Sequence, residues 1–193
     1  MLSIQGAWTL RGFAPSRAKI GLYPNKTRTK MAVLKVFLCD CDGTLTDGGM
    51  YYLESGQQFK KFSVADGIGF ELLREEGIKT GILTGEVTPI VEHRAKRLKM
   101  DYLYQGCRPQ GKLEALKEIC TRENISLENV AYVGDDLNDI PVLECVGFKG
   151  CVANAHPHLK ALPGIVISPK NGGEGGVRAL IDLWLNNPRE LRS

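Results

Sequence analysis

The sequence predicts an α/β fold, a parallel sheet with helices packed against it, and two observations carry that prediction. From residue 33 to residue 185, short apolar runs alternate with segments of helical period. Three of the apolar runs stop at polar clusters: Asp40 and Asp42, Thr84 and Gly85, and Asp135 and Asp136. In open parallel sheets the site lies beyond the carboxyl ends of the strands, so these clusters mark where chemistry would sit.

Taken in order, residues 33–39 form an apolar run too short for a helix and read as a buried strand. Residues 50–53 and 57–62 flank Glu54-Ser55-Gly56 and read as a β-hairpin. A helix is expected over 67–76, closed by Gly77. Residues 78–83 are a strand ending at Thr84-Gly85. The next helix starts near Pro89, a favourable first helical position, and would bury Val91, Ala95 and Leu98. A short strand at 101–104 precedes a helix over Gly111–Glu123, with Leu113, Leu116, Ile119 and Cys120 on one face. The strand at 130–133 stops at Gly134-Asp135-Asp136, and a short helix spans 138–145. Strands near 148–152 and over Ile165–Ile167 lead to a last helix at 174–185, which would bury Val177, Leu180, Ile181 and Trp184. The expected architecture is a Rossmann-like parallel sheet with helices on both faces plus a small β-hairpin.

Composition bounds what such a domain does. The 193 residues suffice for one domain, and 43% hydrophobic with 24% charged residues is ordinary for a globular chain. No apolar run is long enough to span a membrane. Residues 1–30 hold Arg11, Arg17, Lys19, Lys26, Arg28 and Lys30 and no acid, so removing these six from the net +3 leaves −3 for the rest. A mildly acidic domain argues against a nucleic-acid-binding surface. The basic lead reads as a transit peptide or as an upstream extension before Met31. The second is preferred, with residues 1–31 disordered and residues 32–188 forming the single domain. The six scattered cysteines show no zinc spacing and read as small buried thiols of a reducing compartment, here the cytoplasm.

Strand alternation puts Asp40 and Asp42 on one side, where paired carboxylates repel unless a cation joins them. Mg²⁺ favours a few carboxylates, waters and phosphate oxygens. Asp40 and Asp135 could supply the carboxylates, with Asp136 and Asp139 completing or orienting the shell. Lys112, at a helix start, could reach phosphate oxygens, and Thr84-Gly85 offers a hydroxyl and backbone N–H groups. Each part alone has a bland reading: Asp-x-Asp-Gly and Thr84-Gly85 as turns, Lys112 as a solvated lysine, Gly134-Asp135-Asp136 as a helix cap. The combination at the strand ends of one sheet is far more specific.

Asp40-Cys41-Asp42-Gly43-Thr44, Leu83-Thr84-Gly85, Gly111-Lys112 and Gly134-Asp135-Asp136-Leu137-Asn138-Asp139 follow the order of the four motifs of haloacid dehalogenase-like phosphohydrolases. The chain resembles in particular a cap-less branch acting on 3-deoxy-D-manno-octulosonate 8-phosphate and 2-keto-3-deoxynononate 9-phosphate. Thr46-Asp47-Gly48-Gly49, Lys61-Phe62, Asp66-Gly67, Tyr104-Gln105-Gly106, Val130-Ala131-Tyr132-Val133 and Gly172-Gly173-Glu174-Gly175 carry that closer likeness. The resemblance implies a phosphatase with Asp40 as nucleophile and Asp42 as general acid, then base. It implies Mg²⁺ held by Asp40, the main-chain carbonyl of Asp42, and Asp135, and phosphate held by Thr84, Gly85 and Lys112.

Only about 24 residues separate Asp42 from Asp66, too few for an inserted cap, so a lone subunit would leave the site open. The hairpin is apolar on both faces, with Met50 and Tyr52 opposite Tyr51 and Leu53, and is expected to be covered by another subunit. The branch resembled is tetrameric, and a homotetramer is expected; the bland alternative folds the hairpin back onto its own sheet. Glu86, Arg94 and Arg97 are candidate specificity residues, joined by Asp66 and by Arg178 after a glycine-rich lead expected to be mobile. In the resemblance, nononate-type enzymes carry Glu after Thr-Gly and octulosonate-type enzymes carry Arg, so Glu86 leans to the nine-carbon acid. His156 and His158 read as surface loop residues before metal ligands. Competing readings are a phospho-receiver module and a non-catalytic oligomerisation domain. Asp42 speaks against the first, and the retention of Asp40, Asp42, Lys112 and Asp135 against the second.

Overall fold

The computed structural model describes residues 34–107 and 110–186. The expectations for residues 1–31 lie outside the described residues. Strands β1 (Val36–Cys39), β4 (Lys79–Leu83), β5 (Tyr102–Tyr104), β6 (Val130–Gly134), β7 (Phe148–Cys151) and β8 (Ile165–Ile167) form one six-stranded sheet. Its order is β5-β4-β1-β6-β7-β8, and every neighbouring pair is parallel. Strands β2 (Tyr51–Tyr52) and β3 (Gln58–Phe59) form a separate antiparallel hairpin.

β1 runs between β4 and β6, with Leu38 in register with Gly81 on one side and Tyr132 on the other. All four β1 residues are buried, as a strand covered on both faces requires. The helices are α1 (Val64–Glu75), α2 (Pro89–Leu98), α3 (Gly111–Glu123), α4 (Ile140–Leu143), α5 (Pro157–Lys160) and α6 (Gly176–Asn186). α1 packs against α2 and α6, while α3 packs against α4. Chain order turns one way from β1 to β4 and β5, then crosses back to β6 on β1's other side. That reversal falls between β1 and β6, and in open α/β sheets ligands bind beyond the carboxyl ends of the strands at such a point.

Most elements lie where periodicity placed them, and the displacements have local causes. α1 begins three residues before the expected 67 because the Ser63 hydroxyl accepts from the Ala65 N–H, while Val64 is exposed and gives no periodic signal. The short helix expected over 138–145 is a 3₁₀ turn, Leu137–Asp139, followed by α4. α5, capped by His156 and started by Pro157, has only four residues, too few for a period. The hairpin does not fold back on the main sheet: Met50, Tyr52, Leu53 and Phe59 are all about half exposed. Tyr51 stacks on Phe59 with ring centroids 5.0 Å apart. Among the described residues, no helix is long and apolar enough to cross a membrane.

Candidate active site

β1 pairing continues one residue past the strand, since the Asp40 N–H donates to the Val133 carbonyl at 2.9 Å. The chain then turns, with the Leu45 and Thr46 N–H groups both donating to the Cys41 carbonyl. Asp40 therefore stands fixed at the sheet's edge, 5% exposed, facing the end of β6. Asp135 follows β6 directly and accepts from the Thr44 hydroxyl at 2.8 Å. Gly43 has φ +89°, and a Cβ there would lie 2.0 Å from Asp135 Oδ2, so only glycine leaves this carboxylate its place.

Asp40, Asp135 and Asp139 each present a carboxylate oxygen within 4.8 Å of the others. Lys112, carried in by the first turn of α3, lies 3.0 Å from Asp40 Oδ1 and 2.7 Å from Asp139 Oδ1. Three carboxylates thus face one ammonium in a buried place. Burial, then the Asp139 charge, push the Asp40 carboxyl up to about 8, with Lys112 only partly offsetting them. Burial pushes Asp135 up to about 7 against the Thr44 hydrogen bond. Burial alone would lower the Lys112 pKa, but the Asp40 and Asp139 charges raise it. This surplus of negative charge, with oxygens as the only donors, fits a hard divalent cation.

The three acids are not equivalent. Asp139 is fully buried, and its Oδ1 accepts from Lys112 and from the Tyr132 hydroxyl, each at 2.7 Å. Its Oδ2 accepts from the Asp135 and Asp136 N–H groups at 2.9 and 3.2 Å. With four donors on two oxygens, Asp139 is a brace for Lys112 and for the loop bearing Asp135. Asp136 is exposed and caps the 3₁₀ turn through the Leu137 N–H. The His156 N–H donates to the Asp135 carbonyl at 2.7 Å, and His158 is exposed, its ring edge-on to that of His156.

Thr84 is buried at the end of β4, its hydroxyl accepting from the Glu86 N–H at 3.4 Å. Gly85 follows at the same turn. Asp42 lies within the turn that follows β1, half-buried, with Oδ2 lacking a partner among the described residues. Its Oδ1 accepts from Lys60, which also donates to Glu86 Oε2 at 2.8 Å. Lys60 follows β3, and the bridge between Thr46 and Phe62 holds this return strand against the β1 loop. Sequence reasoning missed Lys60.

The glycine-rich lead, expected to be mobile, instead packs on the β1 loop. A Cβ at Gly172 would stand 1.8 Å from the Gly43 carbonyl oxygen, an approach that only glycine permits. Other expected substrate residues engage the helices. Asp66 is buried and accepts from the Arg178 N–H at 2.8 Å, joining α1 to the first turn of α6. The Arg178 side chain donates to Asp182 at 2.8 Å. Arg94 donates to the Ser63 carbonyl at 2.8 Å and lies over the Phe62 ring, 5.1 Å from its centroid. Arg97 is exposed. Five of the six cysteines are buried and all are free, as expected of small core thiols.

A family model described as haloacid dehalogenase-like hydrolase matches residues 110–180. The chain is 40% identical over 157 residues to the 3-deoxy-D-manno-octulosonate 8-phosphate phosphatase of Salmonella typhi, covering 81% of this chain and 82% of that protein. The crystal structure of the Yersinia pestis phosphatase of the same name superimposes with a TM-score of 0.75 at 38% identity, covering 80% of this chain and 82% of that one. The Moraxella catarrhalis phosphatase of the same name, solved with magnesium, phosphate and 3-deoxy-D-manno-octulosonate (KDO), gives 0.74 at 34% identity, covering 81% of this chain and 90% of that one.

Proposed function

The chain belongs to the cap-less branch of the haloacid dehalogenase-like hydrolases, and from that premise we infer that it is a magnesium-dependent phosphomonoesterase acting on a phosphorylated sugar acid. The observation that carries this reading is the buried cluster of Asp40, Asp135 and Asp139 around Lys112 at the ends of β1 and β6.

In the mechanism we propose, a carboxylate oxygen of Asp40 attacks phosphorus while the bond from phosphorus to the sugar oxygen breaks. Asp42 gives its proton to the departing alkoxide, then takes one from water, whose oxygen attacks the aspartyl-phosphate and releases inorganic phosphate. Asp40 returns as a carboxylate. Magnesium bound by Asp40, the Asp42 main-chain carbonyl and Asp135 would supply the charge that lets an anionic nucleophile approach a phosphate. Thr84, Gly85 and Lys112 would hold the phosphate's other oxygens, with Asp139 and Asp136 orienting the loop.

The substrate is an eight- or nine-carbon 2-keto-3-deoxy sugar acid bearing a terminal phosphate. Glu86, after Thr84-Gly85, supports the nine-carbon acid. Glu86 borders a cavity of about 470 Å³ lined also by Gln57, Gln58, Val87 and Thr88, a place for the substrate's far end. Arg97 remains a candidate substrate contact, although it is exposed near the far end of α2 and does not line that cavity, whereas Asp66, Arg94 and Arg178 would act through the helices they tie together. Phosphate release from the two sugar acids, each with magnesium and with chelator, tests this. Faster release from 2-keto-3-deoxynononate 9-phosphate is expected. Much faster release from the octulosonate overturns the nine-carbon assignment, and activity undiminished by chelator overturns the metal-dependent reading.

The half-exposed Met50, Tyr52, Leu53 and Phe59 support a homotetramer in which each hairpin covers a neighbour's site. Sedimentation should give a tetramer, and a monomer at assay concentration refutes it. We take residues 32–188 as one catalytic domain and assign the enzyme to the cytoplasm, where its free thiols stay reduced.

A further inference from the structure

Lys60 carries a part in this chemistry that its place in the sequence does not announce. Its side chain is 4% exposed, although it projects from a hairpin on which Met50, Tyr52, Leu53 and Phe59 are about half exposed. Burying an ammonium is costly unless carboxylates meet it, and two do: Asp42 Oδ1 and Glu86 Oε2. The hairpin hands it to them, because Phe62 bridges to Thr46 and so lays the segment after β3 along the loop that bears Asp42.

Asp42 has two oxygens, and the structure treats them differently. Oδ1 accepts from Lys60, while Oδ2 is buried with no partner among the described residues. A proton on Oδ1 would point at an ammonium that can only donate. From this pairing we propose that Lys60 is a positioning residue for the proton donor: it anchors the Asp42 carboxyl by Oδ1 and ties it to Glu86. In that step the bond from phosphorus to the leaving oxygen breaks, the Asp42 proton passes to that oxygen, and Asp42 is left as a carboxylate. Glu86 shares the same ammonium, so the group that lines the cavity for the substrate's far end is one hydrogen bond from the group that orients the acid. The inference rests on the phosphatase reading and on Asp42 as the acid, and the experiment separates the two.

The leaving group decides the test, because a poor one needs a proton and a good one does not. Single-turnover release of the phenol is measured at saturation for phenyl phosphate and nitrophenyl phosphate, with magnesium, in wild type, Lys60→Met and Asp42→Asn. General acids contribute about 10²–10⁴-fold. Loss of their positioning in Lys60→Met is expected to slow phenyl phosphate about tenfold or more beyond any slowing of nitrophenyl phosphate. A purely structural lysine would slow both by one factor. The milder Lys60→Gln carries the same expectation if Lys60→Met does not fold. Equal slowing of both esters, or none, overturns the Lys60 assignment while Asp42→Asn still discriminates between them. An Asp42→Asn enzyme that releases phenol at the wild-type rate overturns the underlying reading of Asp42 as well. In Asp42→Asn, adding Lys60→Met should change the ratio of the two rates little, and a full further loss for phenyl phosphate contradicts the proposal.

Discussion

Asp139→Asn separates a brace from a metal ligand. An asparagine keeps one oxygen and puts an amide N–H₂ where the other stood. Turned toward the Asp135 and Asp136 N–H groups, that nitrogen would face two donors held at 2.9 and 3.2 Å by the backbone. Turned the other way, it faces the Tyr132 hydroxyl, which can rotate to accept, and the Lys112 ammonium, which cannot. Either orientation breaks a buried charged contact, an event that costs about 3–5 kcal/mol. The lower figure applies here, because Lys112 keeps Asp40 at 3.0 Å and because the repulsion that Asp139 exerts on Asp40 disappears. For a chain of this size about 3 kcal/mol lowers the melting temperature by roughly 6–12 °C. Thermal unfolding followed by circular dichroism reads that shift. Magnesium titration by calorimetry on the folded variant should still give binding, since Asp139 has no oxygen to spare for a metal. A melt within about 1 °C of wild type, or magnesium binding abolished with the melt unchanged, rules out Asp139 as a brace.

The Cβ of Gly43→Ala would meet Asp135 Oδ2, and the positive φ alone costs about 1–2 kcal/mol. Magnesium affinity should weaken by more than the loss of stability accounts for, and wild-type affinity by calorimetry contradicts that. Burial raises the Asp66 carboxyl to about 6, so the folded protein holds this proton more tightly than the unfolded chain does. Its contribution to stability is present in full below about pH 4 and is lost as pH rises through 6, amounting to about 3 kcal/mol. Urea unfolding should therefore show Asp66→Asn gaining on wild type between pH 4 and 7, and a pH-independent difference between the two contradicts the argument.

Much of this was legible because each strand end carries its own polar mark. Asp40, Thr84 and Asp135 close runs whose apolar content already reads as parallel strand, and adjacency of β4, β1 and β6 then brings them together. Lys112 was legible from its place at the start of α3 and from the Gly111-Lys112 motif, not from the apolar face of that helix. Lys60 was not legible beside Lys61, since which of two neighbouring lysines turns inward depends on the pleat of a two-residue strand. Tyr132 did leave a signal: a tyrosine inside a fully buried strand needs a partner for its hydroxyl, and Asp139 is that partner. For Asp66, Arg94 and Arg178 the sequence gives charge without direction, and the packing of α1 against α2 and α6 shows which helices they join. The packing of Gly172 on Gly43 joins segments far apart in the chain, which no local pattern can report.

As the proposed nucleophile, Asp40 is transiently phosphorylated in each turnover. The direct measurement is acid quenching of Asp42→Asn after mixing with magnesium and nitrophenyl phosphate, followed by mass spectrometry of its peptides. This variant can release a good leaving group yet lacks the base that would clear the intermediate. A phosphoryl group is expected on the peptide containing Asp40, and none when Asp40 is also replaced by asparagine. Nitrophenol released with no phosphorylated peptide, or with the phosphoryl group on another residue, contradicts it.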